Sequence, residues 1–205
     1  MFATSKQLGR IPVLAVTGLS GSGKTTFLNR LLQLPELART VVLTTTGENQ
    51  VVFSHQRVLF LPATDFVSES GCLCCDMRSA LGDTLRSLFL QALSKRIPPI
   101  DRLVIETPAL DPAQLKFTLR HAPFLGQRYV YHATLFVLDA AQAVKAGLSQ
   151  KEKEALALAD QIVFAKNDLV DAEQLEQLKE QITVLKPGAR IILSDEAILA
   201  LSHTI

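Results

Sequence analysis

A chain of 205 residues with 48% hydrophobic and 20% charged side chains is long enough to bury the core of one α/β domain and too short for a second sizeable one. Its formal net charge of +1 and the lack of a dense Lys/Arg run exclude the broad basic footprint of a nucleic-acid binder or a membrane-surface protein. No apolar stretch reaches membrane-spanning length, and Met1-Phe2-Ala3-Thr4-Ser5-Lys6 lacks a signal-peptide core, so the cytoplasm is the expected location.

The first element is an apolar strand, Ile11 to Thr17. It runs into Gly18-Leu19-Ser20-Gly21-Ser22-Gly23-Lys24-Thr25-Thr26, which fits the phosphate-binding pattern of Gly, four residues, then Gly-Lys-Ser/Thr. A helix follows from near Gly23 to about Leu34-Pro35. Thr40 to Leu43 reads as a second strand with a polar loop from Thr44 to Asn49 after it, and Arg57 to Leu61 as a third, closed by Pro62. Past the run Glu69-Ser70-Gly71-Cys72-Leu73-Cys74-Cys75-Asp76, a helix is expected over 77–93 with Leu81, Leu85, Leu88 and Leu93 near one face. Asp101 to Glu106 is a buried strand ending in a carboxylate, and Asp111-Pro112 starts a helix. Ala133 to Asp139 and Gln161 to Ala165 repeat the strand pattern around a helix from Lys151 to Leu158. An amphipathic helix from Leu175 to Leu185 ends at Pro187-Gly188, before a last strand, Arg190 to Leu193. Strands alternating with helices predict an α/β fold of the P-loop NTPase kind, a mostly parallel sheet with helices on both faces, as a single domain over 1–205.

In such a sheet the ligand lies beyond the carboxyl ends of the strands. Gly18, Gly21 and Gly23 let the backbone wrap phosphate oxygens, and the helix start directs its N–H groups, with Ser22 and Thr26, toward them. Lys24 is placed to meet the outer phosphates and Thr25 a Mg²⁺ ion. Glu106 is placed to hold magnesium through a water or to orient the attacking water. In Ala165-Lys166-Asn167-Asp168, the Asp168 carboxylate can accept two hydrogen bonds from guanine while the Lys166 stem lies along the base. All three cysteines fall within 72–75. Thiolates crowded in a polar loop point to a divalent metal, with a buried turn and a dithiol switch as the other readings. Glu48 is a candidate oxygen donor; His55 and His121 are candidate nitrogen donors.

Taken together, the phosphate loop, Gly71-Cys72-Leu73-Cys74-Cys75, the Glu106 strand end and Lys166-Asn167-Asp168 resemble the CobW-like family of metallochaperone GTPases, relatives of the urease and hydrogenase nickel-insertion GTPases. The resemblance runs from the first strand to about Ser194. It implies a GTP-binding domain that hydrolyses GTP to GDP with magnesium, handles zinc or cobalt and delivers it to a client metalloprotein. It also implies Cys74 and Cys75 as leading ligands, with Glu48 in the place of a family carboxylate. The family loop after the second strand usually reads Glu-Asn-Glu-Phe-Gly-Glu, and Leu43-Thr44-Thr45-Thr46-Gly47-Glu48 keeps only the final Gly-Glu. The family glycine after the strand-end Glu is missing from Glu106-Thr107-Pro108-Ala109-Leu110, and Pro108 has no N–H to give a γ-phosphate. Ala165 stands where Asn is common, and the family's C-terminal domain is not expected within this chain.

Two functions from different classes follow. The first is a GTPase in which Lys24 and magnesium at Thr25 offset charge during attack of water on the γ-phosphate, with Glu48 and Glu106 as candidates to position that water. In it, metal at Cys72, Cys74, Cys75 and Glu48 is coupled to the nucleotide. The second is a nonhydrolysing nucleotide or metal sensor acting through a protein partner, favoured by the missing switch glycine and carboxylates. A small-molecule kinase is a third option that leaves the cysteines unused.

Overall fold

A computed structural model describes residues 9–45, 57–61, 80–106, 112–194 and 196. Its strands are β1 (Ile11–Thr17), β2 (Thr40–Thr45), β3 (Val58–Leu61), β4 (Arg102–Glu106), β5 (Tyr129–Asp139), β6 (Gln161–Ala165) and β7 (Arg190–Leu193). They form one seven-stranded sheet in the order β3-β2-β4-β1-β5-β6-β7, and every neighbouring pair is parallel. The helices are α1 (Lys24–Leu31), α2 (Ala80–Leu93), α3 (Pro112–His121), α4 (Pro123–Arg128), α5 (Ala140–Ala146), α6 (Gln150–Leu158) and α7 (Ala172–Leu185). Parallel strands require long crossovers, so all their carboxyl ends meet at one edge of the sheet. That edge carries the phosphate loop.

The period of two along β1 divides the core. Val13 and Ala15 pack with α2, α3 and α4 around Leu85 and Leu88. Leu14 and Val16 face the other way, onto Phe27, Leu28 and Leu31 of α1. On the α2 side of the sheet, Phe136 and Leu138 of β5 pack beneath α5, α6 and α7. Phe27, Leu28 and Leu31 are no more than 2% exposed, and each contributes roughly 2 kcal/mol of apolar burial. The helix that follows the phosphate loop is thereby clamped to the sheet.

The expected strands are all present; β1, β6 and β7 have the expected limits, and the others are shifted. β2 continues through Thr44 and Thr45, which the sequence reading gave to a loop, because Thr44 pairs across to Phe60 and to Glu106. β5 starts four residues before Ala133, and α4 and α5 are additional to the expected helices. α2 begins at Ala80 among the described residues, the stretch 77–79 lying outside them. Leu93, expected on its buried face, is 68% exposed, since it closes the helix where the chain leaves toward β4.

Candidate functional site

β1 delivers the chain to the edge at Thr17, and Gly18 turns it under the end of β5. A Cβ on Gly18 would lie 2.4 Å from the Val137 carbonyl oxygen and 2.8 Å from Ser22 Oγ, at a φ of +150°, so only glycine fits this floor. Gly23, at φ 95°, ψ 10°, begins α1 with no side-chain cap. By contrast α5, α6 and α7 are capped by the side chains of Asp139, Ser149 and Asp171. An uncapped helix start behind a glycine turn offers N–H groups to an anion. Ser22 is 4% exposed and its Oγ has no hydrogen-bond partner. Thr25 is half-buried, and Gly21 and Thr26 are exposed.

Lys24 is 7% exposed. Its Nζ donates to the carbonyl oxygens of Gly18 at 2.9 Å and Leu19 at 2.8 Å, and lies 4.0 Å from Glu106 Oε1. Burial lowers the lysine's pKa below its ordinary value, with the Glu106 charge opposing that shift. An anion at the helix start would add a second opposing charge. Glu106 sits opposite Val16 of β1 and Thr44 of β2, is itself buried, and accepts a hydrogen bond from the Thr44 hydroxyl on its other oxygen. Three neighbouring strand ends thus surround one lysine.

Beyond α1 a cleft of about 430 Å³ is lined by Gly23, Thr26, Phe27, Arg30, Ala165, Lys166, Asn167, Asp168 and Ser194, a size within the usual range for small-molecule sites, about 300–1,000 Å³. The turn after β6 forms its wall. Lys166 there adopts the left-handed conformation, φ 55°, ψ 31°, and its Nζ donates to the Gly21 carbonyl at 2.9 Å and to Asp139 Oδ2. The Ser194 hydroxyl at the end of β7 donates to Asn167 Oδ1 at 3.3 Å. A larger hollow, about 660 Å³, runs along one side of α2; none of the predicted site residues lines it.

The structure therefore brings together Gly18, Gly21, Ser22, Gly23, Lys24, Thr25, Thr26 and Glu106, with Lys166 and Asp168 on the adjoining wall. Glu48, His55, Cys72, Cys74, Cys75 and Pro108 lie outside the described residues. Among the described residues no three His, Cys, Asp or Glu side chains are grouped to hold a metal. His121 stacks on Phe117, ring centroids 4.3 Å apart, where α3 leads toward the start of β5, the edge opposite the phosphate loop. Thr44, Asp139 and Ser194 were missed. Asp139 and Ser194 close or follow strands as Glu106 does, which is the signal that would have found them.

A parallel sheet whose first strand passes through a glycine cradle and a buried lysine into an uncapped helix defines a P-loop nucleotide-binding domain. Residues 12–193 match the CobW/HypB/UreG family, nucleotide-binding domain, and the chain belongs to that family. It is 26% identical over 216 residues to the zinc chaperone CobW of Pseudomonas aeruginosa, covering 90% of this chain and 56% of that protein. It is 25% identical over 200 residues to the zinc-regulated GTPase metalloprotein activator 1 of Saccharomyces cerevisiae, covering 84% of this chain and 45% of that protein. The fold matches that of the Zn(II)-bound YjiA GTPase of E. coli with a TM-score of 0.62 at 23% identity, over 90% of this chain and 57% of that one. The chain spans about half the length of these relatives. No helix among the described residues is long and apolar enough to cross a membrane.

Proposed function

We infer that the chain binds GTP and hydrolyses it to GDP as the nucleotide-dependent part of a protein that handles zinc for a client metalloprotein. The observation that carries the nucleotide reading is Lys24: a buried ammonium at an uncapped helix start, with Glu106 4.0 Å away and a glycine floor beneath it, would take a phosphate as a second anionic partner. Gly18, Gly21, Ser22, Gly23, Lys24, Thr25 and Thr26 would cradle the phosphates, and Lys166 and Asp168 would take the guanine. The Thr25 hydroxyl and Glu106 carboxylate are the hard oxygen donors that suit Mg²⁺, which when bound supplies charge neutralisation at the phosphates. Lys24 would hold the terminal phosphate in line, and Glu106, with Thr44 bonded to one of its oxygens, would either serve that magnesium through a water or orient the attacking water. The zinc reading rests on the cysteine run and on the names of the two relatives. Its ligands would be Cys72, Cys74 and Cys75 with Glu48, thiolates and a carboxylate suiting zinc or cobalt.

Zinc titrations with and without a nonhydrolysable GTP analogue, paired with phosphate release from GTP and from ATP, test both parts. GTP-selective turnover and a zinc affinity that shifts with the analogue are expected; linkage requires the same factor in nucleotide affinity. Binding of GTP without phosphate release replaces the hydrolase with a sensor. Equal zinc affinities remove the coupling.

A further inference from the structure

Asp139 closes β5 and lies in register with Ala165 of β6, which puts it beside the base-recognition turn without being part of it. Its two oxygens have different partners. Oδ1 accepts the Gln142 N–H at 2.9 Å, capping α5, and Oδ2 accepts from Lys166 Nζ. The same ammonium donates to the Gly21 carbonyl. Lys166 makes both contacts from a left-handed backbone, a conformation that among described non-glycine residues is shared with Lys95 alone and that costs about 1–3 kcal/mol wherever surrounding structure must enforce it. Asp139 is the anionic member of that enforcing set: its side chain is 16% exposed against 41% for Lys166, so the carboxylate is the better fixed of the two.

We propose that Asp139 is a positioning residue for nucleotide recognition, acting through Lys166 to lock the base-recognition turn to the phosphate loop at a fixed spacing. This rests on the guanine-nucleotide reading above. With the carboxylate in place, Lys166 stays along the cleft wall and Asp168 keeps its distance from the Gly21 turn. Without the negative charge, the ammonium is released toward the phosphates and the turn relaxes from its strained backbone. Base recognition then weakens while phosphate binding persists.

Asp139→Asn separates this role from capping, because asparagine keeps an oxygen for the Gln142 N–H and loses the charge that holds Lys166. Affinities for GDP and for tripolyphosphate are measured by titration on wild type, Asp139→Asn, Lys166→Gln and the double variant, with melting temperatures alongside. The expected result for Asp139→Asn is about a five- to tenfold loss of GDP affinity, tripolyphosphate affinity within twofold of wild type and an unchanged melting temperature. In the Lys166→Gln background the Asp139→Asn change should have no further effect on GDP. Wild-type GDP binding that is unaltered in Asp139→Asn, or equal losses for GDP and tripolyphosphate, overturns the proposal alone. A wild-type chain that binds neither ligand overturns the nucleotide reading and this one with it.

Discussion

The two edges of the sheet use polar side chains in opposite ways. At the edge where the strands begin, Asp160 Oδ2 accepts from the Thr134 N–H at 2.7 Å and the Tyr131 hydroxyl at 2.9 Å, with Lys116 Nζ at 3.8 Å. Arg39 Nε donates to Asp101 at 2.6 Å, Arg57 to the Pro98 and Pro99 carbonyls, Arg102 to the Glu36 carbonyl, and Lys186 to the carbonyls that end α6. Each of these contacts ties one crossover to the next. At the other edge Lys24 is buried, which lowers its pKa, Ser22 Oγ is buried without a partner and α1 starts uncapped. Both edges make protein contacts, but the second also keeps an uncapped helix start and the unpartnered Ser22 hydroxyl beside its Lys24–Glu106 pair. Substitutions at the two edges should therefore fail in different assays.

The largest effect is expected at Lys24. Lys24→Ala removes a charge-assisted contact to phosphate worth about 3 kcal/mol, roughly a hundredfold in nucleotide affinity, which titration with a fluorescent GTP analogue reads directly. Wild-type affinity in that variant would show that the phosphate-loop edge is not built for an anion. Asp160→Ala is the complementary change. It strips the buried Thr134 N–H of its acceptor and leaves the Tyr131 hydroxyl only the Thr134 hydroxyl as partner, so about 2 kcal/mol of stability is lost. For a domain of this size that is a fall of about 4–8 °C in Tm. Nucleotide affinity should stay at the wild-type level; if it falls with Tm, the two edges are one cooperative unit and the contrast disappears.

The ligand edge was the more legible of the two in the sequence. A phosphate loop is a contiguous pattern whose glycines, lysine and threonine act together because they are neighbours in the chain, and Glu106 announces itself as a carboxylate ending an apolar run. Asp139 ends an apolar run as well, but the Ala140-Ala141-Gln142 that follows offers a capping role at once, and its second partner, Lys166, is fixed only when β5 and β6 pair. Thr44 was lost to a polar loop because threonine at a strand end has the composition of a turn, while its pairing with Glu106 is a tertiary fact. The start of β5 was hidden for a different reason: pairing with β1 jumps from Val13 opposite Tyr131 to Leu14 opposite Ala133, and the irregularity at His132 breaks the alternation a strand would show. α5 is seven residues of mostly alanine, too short and too uniform to carry a helical period.

That irregularity gives the smallest effect and the one that depends on pH. Burial lowers the His132 pKa below its ordinary value, the Arg102 charge lowers it further, and Asp160 opposes both. The unfolded chain, with its imidazole near 6.5, therefore takes up a proton at a higher pH than the folded one. Above about pH 6.5 the residue adds no pH dependence; as pH falls below that value the unfolded state is favoured, until the folded-state pKa is passed and the penalty is complete. One such group can contribute a slope of at most about 1.4 kcal/mol per pH unit. His132→Gln removes the titration, so urea midpoints measured at pH 7.5 and at pH 5 should differ less for the variant than for wild type. GTP-analogue affinity at the opposite edge should be unchanged at pH 7.5. Equal acid sensitivity in the two proteins would show that protonation of His132 does not weaken the edge that holds the crossovers together.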